Sequence, residues 1–101
     1  RVRSSAASDV YKRQMRTCAE AIDLIETFAE KGSKIAISDA GVGATLLKSA
    51  LQGASLNIYI NTKSMADKKA ATSYNKEADE LRETYEKKAD EIFNLVCAKI
   101  R

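Results

Sequence analysis

Proline is absent from this sequence, and only four of its 101 residues are glycine. A β-rich chain of that length needs far more turn punctuation, so the composition favours long helices. Histidine is absent too, which excludes histidine-based nucleophilic and acid–base schemes within these residues. The two cysteines, Cys18 and Cys97, cannot by themselves complete a four-ligand zinc site. They are also too sparse for a disulfide framework, and both are expected as reduced, buried core residues. No apolar run approaches the roughly 18 residues that read as a membrane-spanning helix. The charged start is not followed by the apolar stretch of a secretory signal, so a cytoplasmic location is the expectation. Phosphate loop, dinucleotide fingerprint and metal-ligand spacing are all missing, so neither a metal nor a bound prosthetic group is expected.

What is present fits one small globular domain. Hydrophobic residues make up 45% of the chain and charged residues 31%, a balance outside the disordered range. The formal charge of +3 is concentrated at one end. Arg1, Arg3, Lys12 and Arg13 face only Asp9 before position 15, and the remainder holds 13 basic and 13 acidic residues. The remainder therefore gives no electrostatic reason to expect nucleic acid or a membrane surface as a partner.

The basic end has an identifiable origin. Residues 4–14 read Ser-Ser-Ala-Ala-Ser-Asp-Val-Tyr-Lys-Arg-Gln, the peptide that one reading frame of a widely used transposase sequencing adapter encodes. Residues 9–14 correspond to the transposase end sequence. Residues 1–14 are accordingly expected to be translated adapter and to stand outside the fold. A short native helical or disordered tail is the alternative. On the adapter reading Met15 need not be a start codon, and coding sequence upstream of it is missing.

Three helical segments follow. In residues 15–31, Cys18, Ala21, Ile22, Leu24, Ile25, Phe28 and Ala29 recur in steps that build one apolar face, and Gly32 is a plausible stop. The second segment starts near Ser38 or Asp39, either of which suits an N-cap, and runs from Ala40 through Asn61 or beyond. Glycine inside a helix costs about 1 kcal/mol against alanine. Gly41, Gly43 and Gly53 therefore predict a neighbour packed close to this backbone, either another helix or a ligand. Residues 56–61 alternate like a strand, but no partner strand exists, so they are read as helix. The third segment, residues 66–99, carries Tyr74, Ala78, Leu81, Tyr85, Ala89, Ile92 and Val96 on one face and a mixed-sign charged face opposite. The fold class is all-α: a helical bundle of about three helices, the last long and amphipathic.

Chemistry is sparse. Asp39 stands in a glycine-rich setting, where it suits an amine-binding carboxylate, a general base, or simply an N-cap. Asn57 and Asn61 are four apart and share a helix face. Buried amides must be hydrogen-bonded, so these two either orient a polar ligand such as a pterin or tie helices together.

The succession Ser38-Asp39-Ala40-Gly41-Val42-Gly43-Ala44, Ala50-Leu51-Gln52-Gly53-Ala54 and Leu56-Asn57-Ile58-Tyr59-Ile60-Asn61 is specific. It resembles, without gaps, the pattern of the formiminotransferase-cyclodeaminase and methenyltetrahydrofolate cyclohydrolase family. That pattern is Ser-Asp-x-Gly-Val-x-Ala, a helical turn, Gly-Ala, and Asn-Val-x-x-Asn. Ser33 departs from it, since the family usually has Asn after the preceding glycine. The resemblance covers residues 15–101. It implies the C-terminal portion of an all-α domain that is roughly twice as long and works as a homodimer on tetrahydrofolate derivatives. One branch of the family converts 5-formiminotetrahydrofolate to 5,10-methenyltetrahydrofolate with loss of ammonia. Another hydrolyses methenyltetrahydrofolate to 10-formyltetrahydrofolate. The family's glycine-rich segment and catalytic aspartate match no position here, so the catalytic residues are expected upstream and the fragment alone is expected to be inactive. Asp39, Asn57 and Asn61 are the substrate-binding candidates that the resemblance leaves. The competing account is a non-catalytic helical interaction module. On either account three helices cut from a larger bundle leave apolar surface uncovered, and the chain is expected to self-associate or to fold only in part.

Overall fold

The computed structural model describes residues 5–32 and 34–101, with the side chains of Lys34 and Ile35 also outside the description. The Ser33 departure lies outside the described residues. Three helices follow one another: α1 (Ser5–Lys31), α2 (Lys34–Lys63) and α3 (Lys68–Ile100). Among the described residues there is no strand, and residues 56–61 are helical. The bundle measures 51 × 20 × 16 Å, its long dimension set by helices that rise about 1.5 Å per residue. Each helix packs against both others, and α2 makes the most extensive contacts.

The helix starts differ from the sequence expectation in instructive ways. α1 begins at Ser5, ten residues before position 15. The reason is periodic: Ser8 and Met15 are buried, Tyr11 packs on the core beside them, and the three continue the apolar step of Ala19 and Ile22 backwards. α2 begins at Lys34, so neither Ser38 nor Asp39 caps it. Ile37, only 2% exposed, lies one turn before Ala40 and Gly41 and anchors the extra turn in the core. α3 begins at Lys68 rather than at position 66, because Asp67 is its N-cap, its side chain accepting from the Ala70 amide at 3.0 Å. That bond satisfies one of the free amides of the first turn.

The core has two parts along the bundle. One joins Ile22 and Ala29 of α1, Ile37, Ala40 and Ala44 of α2, and Ala89, Ile92 and Val96 of α3. The other joins Met15, Leu51, Ala54, Ile58 and Ala78. Alanine occupies many of these positions, which lets the helix axes approach closely. Two glycines serve the same end. A methyl built on Gly41 would sit 3.1 Å from Val96, and one on Gly43 would sit 3.0 Å from the tip of Ile25. The neighbour predicted for those glycines is thus a helix, α3 for one and α1 for the other. Cys18 and Cys97 are free, but each is half-buried rather than fully buried. Cys18 stands at the edge of the second core cluster, and Cys97 lines a surface hollow between α2 and α3.

Candidate functional site

The structure separates the three sequence-derived candidates. Asp39 lies in the second turn of α2 and is exposed. Asn57 is exposed five turns further on, its amide donating to the Gly53 carbonyl at 3.3 Å. The eighteen residues between them correspond to a rise of about 27 Å, too far for both to grip one pterin ring. Asn61 is one turn beyond Asn57 but buried at 2% exposure. Its side-chain amide donates to the hydroxyl of Ser8 on α1, and that hydroxyl in turn lies 3.7 Å from the Met65 sulfur. Asn57 and Asn61 therefore share a side of the helix only loosely, because α1 covers the second and leaves the first open.

A belt of polar ties that the sequence did not reveal runs along the α3 interfaces. The Tyr85 hydroxyl donates to Asp23 of α1 at 2.8 Å, and the Lys88 ammonium reaches the other oxygen of the same carboxylate at 2.6 Å. Burial pushes the Asp23 carboxyl up, but the hydrogen bonds from Lys88 and Tyr85 outweigh it and leave the group below its ordinary range. Tyr74 likewise donates to Asp9 at 2.8 Å, and Tyr59 donates to Asp79. Burial and the Asp79 partner together push the Tyr59 phenol up to about 12. Thr62 and Asn75 meet at 2.6 Å where α2 gives way to α3. Lys99 closes the far end by donating to the Ala29 and Glu30 carbonyls of α1 at 2.7 and 2.9 Å. These are the carbonyls that a helix C-terminus leaves free, and a cation there also suits the helix dipole. Tyr74 and Tyr85 on the apolar side of the charged third helix were the sequence's sign that hydroxyls there need partners, but it did not name the aspartates.

None of these groups forms a nucleophile–base pair. No cluster of metal-ligating side chains occurs among the described residues. The hollow beside Val42, Thr45, Phe93 and Cys97 is mainly apolar. No helix is long and apolar enough to cross a membrane among the described residues. The arrangement is a scaffold with an open outer face on α2 and candidate polar contacts at its edge.

Comparison with known proteins assigns this scaffold. A methenyltetrahydrofolate cyclohydrolase from Methylorubrum extorquens (strain AM1) is 37% identical over 94 residues, which make up 93% of this chain and 45% of the relative. The chain thus spans less than half the length of that relative. The family model described as formiminotransferase-cyclodeaminase matches residues 3–80, which takes in α1 and α2 entire and the start of α3. With the Ser38-to-Asn61 succession inside the matched stretch, the chain belongs to the formiminotransferase-cyclodeaminase family.

Proposed function

We propose that this chain is the C-terminal helical part of a folate one-carbon enzyme, whose substrate is a tetrahydrofolate derivative and whose working form is a cytoplasmic homodimer. The observation that carries the reading is the 37% identity to a named cyclohydrolase over nearly the whole of this chain. The relative's name favours the hydrolytic branch, in which water adds to the methenyl carbon, its bond to one folate nitrogen breaks, and the formyl group stays on the other. The cyclodeaminase branch, with loss of ammonia, is the family's other reaction. Among the described residues no side chains form a nucleophile–base pair, and on this reading the reacting groups come from the part of the enzyme that the relative has in addition.

Within this reading Asp39 and Asn57 are the substrate contacts, each meeting a different part of the molecule or its surroundings. Asn61 acts from behind, holding α2 against α1 through Ser8. The interaction-module account explains the helices equally well but gives no reason for the family match.

Residues 1–14 are proposed to be translated adapter. Ser8, Asp9 and Lys12 then stand where the natural protein has other side chains, and α1 extends through them because alanine and lysine favour helix and Ser8 fits a small buried space. The family match from residue 3 supports the opposite reading, a native segment. Genomic DNA upstream of the Met15 codon tests both the fragment and the adapter readings. An open frame that continues for about a hundred codons, with a glycine-rich segment and an aspartate, supports the enzyme fragment. A stop codon with a ribosome-binding site just before Met15 makes the helical module the better account.

A further inference from the structure

The side of α2 turned away from α1 and α3 is uncharged along most of its length. Val42, Leu46, Leu56 and Ile60 stand on it with 56–65% of their surface exposed, more than a lone protomer is expected to leave uncovered in one continuous stripe. Between them lie Ser49, Ala50 and Gly53, all exposed. Gly53 differs from Gly41 and Gly43: a methyl built on it meets nothing within 4 Å. No contact within the protomer requires glycine there, although it weakens the helix.

The stripe is symmetric about Leu51. Val42 and Ile60 lie nine residues to either side of it, Leu46 and Leu56 five, and Ser49 and Gly53 two. Large apolar residues thus sit at both ends and small ones in the middle, so a second α2 running antiparallel meets large with large and small with small. The pairing is isologous, as a two-fold axis demands. The two members of the Leu46/Leu56 and Ser49/Gly53 pairs fall on opposite sides of the stripe's centre line, so in antiparallel layers they lie side by side rather than head-on. The charges that end the stripe agree. Asp39 and Lys63, twelve residues to either side of Leu51 and both exposed, come to the same level with opposite sign in the antiparallel arrangement. A parallel one would bring like charges level.

We infer that this face of α2 binds a second copy of the chain, antiparallel, with the two-fold axis near Leu51 and closest approach at Ser49, Ala50 and Gly53. This rests on the homodimer reading above and names its surface. Asp39 and Asn57 lie on the flank of the stripe rather than at its centre, which keeps them at the rim of the paired helices.

Sedimentation equilibrium of the 101-residue chain and its Gly53→Phe variant tests the inference. The added ring has open space in the protomer and replaces a poor helix former, so thermal unfolding of the variant confirms an intact fold. The wild-type chain is expected to dimerise and the variant to dimerise at least about tenfold more weakly, the scale of a disrupted interface centre. In a background lacking Cys18 and Cys97, a Ser49→Cys chain mixed with a Gly53→Cys chain is expected to cross-link more readily than either alone. A wild-type monomer at all concentrations overturns the dimer itself. A dimer unaffected by Gly53→Phe, with no preferred 49-to-53 cross-link, keeps the dimer but overturns this face, which is then covered by other helices of the parent enzyme.

Discussion

The side-chain amide of Asn61 on α2 donates to the hydroxyl of Ser8 on α1, and both residues are buried. This bond joins residues 53 positions apart and crosses from the segment read as adapter into the family succession. A buried polar group deprived of its partner costs about 1–3 kcal/mol. Asn61→Ala is therefore expected to destabilise the chain by that amount in urea unfolding, and Ser8→Ala by less, because the space it leaves is small. The double variant is expected to cost less than the sum of the two. Strict additivity would show that the pair is not coupled.

Glycine positions in α2 divide by what faces them. Gly53→Ala is expected to raise protomer stability by about 0.5–1 kcal/mol, since the methyl enters open space and glycine is replaced in a helix. Gly41→Ala is expected to lower it, because the methyl would meet the buried, β-branched Val96, whose side chain has little freedom to give way. Gly43→Ala is expected to fall between, since only the flexible tip of Ile25 must move. Chemical denaturation of the three single variants checks the order, and an equal effect at all three would contradict it.

Alkaline pH is expected to weaken the fold. Tyr59, Tyr74 and Tyr85 all have raised phenol ionisation, Tyr59 to about 12. A raised folded value means that the stabilising contribution is full below the unfolded value near 10 and is lost as pH rises through the folded value. Unfolding midpoints should thus fall between about pH 10 and 12, and less steeply in Tyr59→Phe. Asp23 works at the other end. Its value is lowered, so its contribution is present above the ordinary carboxylate range and disappears as pH falls through the folded value. Asp23→Asn should flatten the acid limb and also soften the alkaline one, because Tyr85 owes its raised ionisation first to its bond with the Asp23 carboxylate.

Core truncation should separate the two halves of the bundle only in location. Leu51 and Ile58 are 0% and 1% exposed in one cluster, and Ile92 is 2% exposed in the other. Each change to alanine is expected to cost about 2–5 kcal/mol. For so small a domain that is a large share of total stability. Loss of helical circular dichroism near room temperature in any of the three variants is consistent with this; a cost under about 1 kcal/mol at Leu51 would mean that the helices do not pack as described.

How much of this was legible in the sequence depends on the element. The all-α class and three helices followed from missing proline and from the spacing of residues such as Leu81, Tyr85, Ala89 and Ile92. Residues 56–61 are helical as their sequence context predicts, because alternation alone cannot make a strand without a partner. The start of α2 departs from the capping signal because a buried residue outweighs a good capping residue, as Ile37 does over Ser38 and Asp39. The burial difference between Asn57 and Asn61 could not be read, since it depends on where α1 crosses α2. The tyrosine–aspartate ties were equally hidden, because they join residues as far apart as Asp23 and Tyr85. For the site, the family succession was visible, but its three candidates proved to be dispersed along one helix.

The most direct test of the central claim is a hydrolysis assay on 5,10-methenyltetrahydrofolate. It compares this 101-residue chain with the product of the same gene extended upstream of Met15, at equal concentration and against the uncatalysed rate. The account predicts that the extended protein consumes the methenyl compound and releases 10-formyltetrahydrofolate, while the short chain leaves the background rate unchanged. An extended protein that neither hydrolyses the methenyl compound nor deaminates the formimino one would contradict it, as would full activity in the short chain.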